Sequence, residues 1–299
     1  MYRRLQNTWT VREDFSYEIN IIIKINEKKN SCTWVGRVYH FYHFYHGFLM
    51  LLYSYLYKNN LLGKQINLYQ MSNCRAGPLT HILEGEIPNL KVYDYELDYK
   101  NINKNINTIT LSGFWKDYGY KIPDNNTVHS AEVIKVWNER PTAIKINNVK
   151  NNIPKILFIK RGVLPHEDYT KHSIDIVVHN GTERRSIINN EEIENKLIEE
   201  GYDLKSEIFE DKTFREQQKS LENIDILIAQ HGAALVHLYD VKRKIIVIEL
   251  PPRLTTGFEA ISKFKKFKYI PGDSLQKNDD KFHVEIDVDV LALVIKNAL

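Results

Sequence analysis

Residues 224–252 read IDILIAQHGAALVHLYDVKRKIIVIELPP. Ile226, Leu227 and Ile228 form a short apolar run suited to a buried strand. His231, Gly232, Ala233 and Ala234 then bring small residues to a turn, with a helix expected from Gly232 to Tyr239. Ile245 to Ile248 form the next buried strand, and an acid, Glu249, sits at its carboxyl end. Small residues at a strand-to-helix turn let backbone N–H groups approach a ligand, and a helix start there favours a phosphate or diphosphate. Such turns also occur purely for packing. The acid-ended strand that follows favours a site, because ligands of open α/β sheets bind outside the carboxyl ends of the strands.

Outward from this stretch the pattern continues. Ile156–Ile159 reads as a strand. A helix opens at Asn189 with Glu192 three residues on, shows Ile193, Leu197 and Ile198 as its apolar face, and stops at Gly201. Leu204–Phe209 reads as a strand. Thr213 and Glu216 form a capping box for a helix running to about Asn223. After the strand at 225–229 and its partner at 245–249 come a helix near 256–264, a strand at Tyr269 and Ile270, and a last helix from Val288. Strands alternating with helices predict an α/β fold with a parallel sheet covered on both faces. Residues 1–150 are rich in Tyr, His and Trp and less regular. The polar run KINNVKNNIP, 145–154, marks the boundary between lobes 1–150 and 151–285. A C-terminal helix over 286–299 is expected to pack back toward the first lobe, and Asn101–Thr108 reads as a surface loop.

The chain has 299 residues, 43% hydrophobic and 26% charged, the profile of a globular protein. A net charge of +3 is too small to argue for nucleic acid. Cys32 and Cys74 make neither a disulfide framework nor a metal cluster. The apolar run Phe41–Tyr57 carries His43 and His46 and falls short of the ~20 residues of a membrane span, so it reads as a buried helix. The N-terminus lacks a signal-peptide pattern, which sets a cytoplasmic expectation. Asp287-Val288-Asp289 has the Asp-x-Asp form of some metal sites, but it opens the last helix, where acids cap N–H groups. KFKKFKY, 263–269, reads as a solvated basic face with buried Phe. The Gly-x-Gly-x-x-Gly fingerprint of a dehydrogenase does not occur.

The order of these signals resembles glycosyltransferase family 61, which includes plant β-xylosyltransferases and animal O-linked N-acetylglucosaminyltransferases. Arg161 follows the first strand. Arg185 to Glu192, RSIINNEE, resembles the family's Arg-x-Ile-x-Asn-Glu-x-Glu segment. Glu216-Gln217 lies ahead of Asp225, His231 to Leu235 is similar to His-Gly-Ala-Gly-Leu, and Glu249 with Pro251 ends the match. Ala234 stands where the family has Gly, and Val163–Thr182 reads as an insertion.

The resemblance implies two Rossmann-like lobes of GT-B type around a cleft. It implies an inverting, metal-independent transfer without a cofactor, from a UDP-linked sugar (xylose or N-acetylglucosamine) to a hydroxyl of a glycan or protein acceptor. A leaving diphosphate needs cations and N–H donors in place of a metal. Arg161, Arg185 and the turn Gly232, Ala233, Ala234 are the candidates, with Glu249 accepting from the ribose hydroxyls. His231 has two readings, a contact to diphosphate or sugar and a hydrogen bond that holds the turn. Gln217 is read as orienting the sheet edge or the base.

In the N-terminal half, the segment beginning HFYHGFLM resembles the family's His-x-x-x-Asp/Glu helix, with His46 at the His position and Met50 where an acid is usual. An inverting transfer needs a base within about 3 Å of the acceptor hydroxyl. His46 is the candidate and His43 the reserve, and both also read as packing groups on an aromatic helix. The missing acid supports an alternative, a non-catalytic nucleotide-sugar or glycan-binding protein on the same scaffold.

Overall fold

β-branched runs and apolar alternation dominate the strands of the computed structural model, which describes residues 19–24, 41–70, 79–94, 106–110, 131–143, 152–162, 185–253, 257–280 and 282–299. The chain divides into two compact units, Met1–Gly119 with His166–Ile176 and Tyr120–Pro165 with Val177–Leu299.

In the first unit, β1 (Ile19–Lys24), β2 (Ile66–Gln70), β3 (Leu90–Asp94) and β4 (Ile106–Thr110) form a parallel sheet in the order β3-β2-β1-β4. Ile21, Leu68 and Val92 lie in register across three strands. Part of the stretch read as a loop at 101–108 is therefore strand, because Ile106–Thr110 pairs with β1. Between β1 and β2 run α1 (Phe41–Phe44), a π-helical turn (Tyr45–Leu49) and α2 (Met50–Lys58). Phe44, Tyr45, Phe48, Leu49, Leu51, Leu52 and Leu56 are buried along it, as the apolar run predicts. α3 (Thr80–Glu86) precedes β3. Among the described residues no helix is long and apolar enough to cross a membrane.

The second unit carries a five-stranded parallel sheet in the order β10-β9-β8-β5-β7. Its strands are β5 (Lys155–Lys160), β7 (Asp203–Ile208), β8 (Ile226–Gln230), β9 (Ile246–Leu250) and β10 (Lys268–Pro271). β8 and β9 are buried at every residue, as expected for strands covered on both faces. Alternate residues Ile156 and Phe158, Ile226 and Ile228, Ile246 and Ile248 join a core with Ile193 and Leu197 of α5 (Asn190–Glu199) and Leu291 and Ile295 of the last helix, α7 (Val288–Ala298). The last helix thus packs on α5 of its own unit, and Lys196 meets Asp289 across that contact at 2.8 Å. Ile198, expected on the buried face, is 60% exposed. Gly201 ends α5 with a φ of 82°, a left-handed conformation open to glycine.

Local signals and structure diverge in two places. The helix expected from Gly232 is a 3-10 helix, Ala233–Tyr239. Its threefold repeat stacks His237 beside Asp240, where Nδ1 meets the carboxylate at 3.0 Å. Asn189 lacks a side-chain cap bond to the start of α5. Its amide instead donates to Ile286 O at 2.8 Å and accepts from Ile286 N at 2.9 Å. It thereby extends the two-stranded sheet of β6 (Ser186–Ile187) and β11 (His283–Val284) as a strand residue would. The other capping box holds: Thr213 and Glu216 cap α6 (Phe214–Ser220) reciprocally. Asp287 accepts from Val290 N, the capping role read for it.

α4 (Ala131–Glu139) belongs to the second unit and is tied down by charge. The buried Asp240 carboxylate accepts from Arg140 at 2.6 Å, Trp137 at 3.1 Å and Gln218 at 3.3 Å. The Arg140 guanidinium lies 3.6 Å from the Trp137 ring centre. Breaking a buried ion pair is costly because the surviving charge keeps its desolvation penalty. Asp240→Ala is expected to lose ~3–5 kcal/mol in urea denaturation, and the double change Arg140→Met with Asp240→Leu to recover more than half of it.

Nearby, Lys265 donates to the Tyr239 carbonyl at 3.2 Å. Burial, helped by Lys242 and opposed by Asp240, brings its ammonium down to about 8. Above that pH, and up to the usual ammonium range, the unfolded chain holds a proton that the folded chain has released, so stability rises with pH. The stability of the wild type relative to Lys265→Met should therefore grow by ~1–2 kcal/mol between about pH 7.5 and about pH 9.5, measured by urea denaturation.

Candidate functional site

In the second sheet β5 and β7 lie on one side and β8, β9 and β10 on the other. The chain therefore reverses its direction of build between β5 and β8. At such a switch point the connections leave on opposite faces and open a crevice at the carboxyl ends of the two strands. Lys160 and Arg161 end β5 there, and Gln230 and His231 end β8. A cavity of about 70 Å³ lies at this point, lined by Phe158, Lys160, Arg161, Ser186, Asn190 and Gln230 among others.

Arg161, Arg185, His231 and Gly232 are brought together. Arg161 Nη2 donates to the His231 carbonyl at 2.6 Å, and Arg185 Nη1 reaches the same oxygen at 3.5 Å. Two guanidiniums converging on one neutral oxygen concentrate positive charge at the crevice, which favours an anion. At Gly232 a side chain would meet a close neighbour, not a dihedral penalty. A Cβ there would stand 2.6 Å from Arg161 Nη2. Ala233 and Ala234 are half-buried at the start of the 3-10 helix. That helix is short, so the anion-favouring charge of this corner comes from the two arginines more than from a helix end.

Glu249 stands near the carboxyl end of β9, as read from the sequence, with its carboxylate turned into the protein. It is 0% exposed. One carboxylate oxygen meets His231 Nδ1 and the other accepts from the Tyr269 hydroxyl. In this arrangement both carboxylate oxygens already have protein partners. What the carboxylate holds is His231, whose ring is 5.2 Å from that of Phe258 and whose residue is 6% exposed. The turn-holding hydrogen bond read for His231 is therefore present.

Gln217 also has a structural job. Its amide donates to the carbonyls of Phe209 at 2.8 Å and Lys212 at 3.1 Å, and its oxygen meets His237 Nε2 at 2.8 Å. The Glu-Gln pair thus caps α6 and closes the loop before it.

In the first unit His46 sits in the π-helical turn, 2% exposed, with its ring stacked on Tyr42 at 5.2 Å between centres. Met50 is buried one turn on. The packing reading has its geometry here, while π turns of this kind recur at functional sites. The His43 side chain lies outside the described residues.

Three residues escaped the sequence reading. Tyr269 and Arg253 support Glu249: Arg253 Nη1 donates to the Tyr269 hydroxyl at 3.0 Å and is itself held by Asp273 at 2.8 Å. Their only signal in sequence is position, an aromatic in the following strand and a cation just after Pro251-Pro252. Glu210 follows β7 and accepts from the Gly162 backbone beside Arg161.

No curated protein matches the chain. The sequence model of Glycosyltransferase 61 matches residues 39–248, well over half of it. The matched span contains β5, the convergent Arg161 and Arg185, the His231–Gly232 corner and β9 as far as Ile248, so the corner built at the switch point lies inside the shared region. The chain belongs to glycosyltransferase family 61 and is a glycosyltransferase.

Proposed function

We propose that the second unit binds the nucleoside diphosphate of a UDP-sugar at the β5/β8 switch point, and that the enzyme transfers the sugar with inversion to a hydroxyl of a glycan or protein acceptor. The observation that carries this reading is the convergence of Arg161 and Arg185 on the His231 carbonyl at the strand ends. Xylose and N-acetylglucosamine are the donors that the family suggests. In this reading the two units are Rossmann-like lobes of a GT-B enzyme and the first receives the acceptor. Both sheets are parallel, with strand orders found in doubly wound folds. The family assignment favours an enzyme over a binding protein on the same scaffold.

The chemistry follows from charge. The acceptor oxygen attacks the anomeric carbon as the bond from that carbon to the diphosphate oxygen breaks. Negative charge grows on the diphosphate, and Arg161 and Arg185 stabilise it, which makes a metal-independent transfer workable. The acceptor hydroxyl loses its proton to a base, for which His46 is the candidate.

UDP at ~1 mM should raise the melting temperature of the wild type by mass action. Gly232→Ala drives a methyl into the Arg161 guanidinium, which can swing away with little effect on the fold. UDP should bind this variant about tenfold more weakly, ~1.4 kcal/mol, by calorimetry. Wild-type protein indifferent to UDP would remove the donor-site reading.

His46→Gln separates base from packing group. As the base, its loss should lower kcat by ~10²-fold or more with UDP affinity unchanged. A variant that melts earlier yet turns over within threefold of the wild type would assign His46 to the core.

A further inference from the structure

The Glu249 carboxylate sits in a line of hydrogen bonds whose proton directions chemistry assigns. Arg253 has only donors, so the Tyr269 oxygen accepts from it. The Tyr269 O–H is then left to donate to Glu249. Burial, followed by the charge of Glu249, pushes the Tyr269 phenol above its usual range, so it keeps this proton at working pH. An ionised carboxylate only accepts. Its other oxygen therefore requires a proton on His231 Nδ1, and Nε2 is the ring nitrogen left for a ligand.

The residue at the end of this line is also the one whose carbonyl receives Arg161 and Arg185. The imidazole held by Glu249 and the carbonyl met by the two arginines belong to one residue, whose own N–H donates to the Leu250 carbonyl at 3.0 Å. A carboxylate buried in full depends on both of its donors. With one removed, it is free to turn and to release the imidazole.

We propose that Tyr269 is a positioning residue for the donor site: its hydroxyl holds the Glu249 carboxylate so that His231 stays in the Nδ1–H form, with its carbonyl in place for Arg161 and Arg185. This rests on the reading of the crevice as the diphosphate site. Arg253 is the outer support, anchored by Asp273 at 2.8 Å and Glu259 at 3.6 Å. Tyr269 touches neither diphosphate nor sugar in this scheme and acts through His231.

The test compares wild type, Tyr269→Phe and Arg253→Met by UDP calorimetry, melting temperature and 15N NMR of the His231 ring. Tyr269→Phe keeps the ring and removes only the hydroxyl. It is expected to bind UDP about tenfold more weakly while still folded, and its His231 ring is expected to lose the single Nδ1–H form seen in the wild type. Arg253→Met leaves the phenol in place and is expected to weaken UDP about threefold, which keeps the idea testable if the Phe variant is unstable. A folded Tyr269→Phe protein that binds UDP within twofold of the wild type overturns the proposal, as does a wild-type His231 protonated at Nε2 alone. If the wild type ignores UDP, the donor reading fails, and the NMR comparison still decides whether Tyr269 sets the state of His231.

Discussion

A parallel sheet buried on both faces constrains everything else in the second unit. Its strands cannot be joined by hairpins, so each connection crosses a face and returns. With strands ordered β10-β9-β8-β5-β7, those crossings part company between β5 and β8. The carboxyl ends of these two strands are therefore the place where side chains from distant parts of the sequence meet without a crossover above them. Arg161 and His231, 70 residues apart, share a 2.6 Å hydrogen bond there. Arg185 reaches the same point from the small β6–β11 sheet.

Two buried carboxylates show how the same chemistry serves different ends. Asp240 stands at the end of the 3-10 helix and collects Arg140, Trp137, Gln218 and His237. It binds α4 to a unit whose sheet begins only at residue 155. Its partners come from α4, α6 and the 3-10 helix, so it acts as a fastening between layers. Glu249 stands at the top of β9 and has two partners, one of which is the corner residue of the crevice. Position relative to the strand ends, more than residue type, separates the acid that fastens layers from the one that holds the crevice corner.

Much of this was legible in the chain. The strands at β5, β8 and β9 are short runs of Ile, Leu and Val, and their burial on both faces is the condition that such runs meet. Thr213 and Glu216 cap α6 because a capping box is a local device, complete within four residues. Asn189 looked like another such device and is instead a bridge to Ile286, 97 residues away. The first unit was harder to read. β4 is short and carries Asn and Thr, β1 is mostly Ile, and their pairing depends on partners elsewhere in the chain.

By itself, the sequence determined the α/β class, most helix starts and the group of residues that belongs to the switch point, because periodicity, caps and small-residue turns act over a few residues. Tertiary structure alone decided what each of those residues does. Glu249 turns inward to His231 and Tyr269 because alternation along β9 points it to the face opposite Ile248, where β10 supplies the phenol. Gln217 closes a loop because His237 arrives beside it. His46 is packed among aromatics because the helix that carries it is buried along its length. A carboxylate's partners depend on strand order and facing layers, and those are set by contacts between residues far apart in the chain.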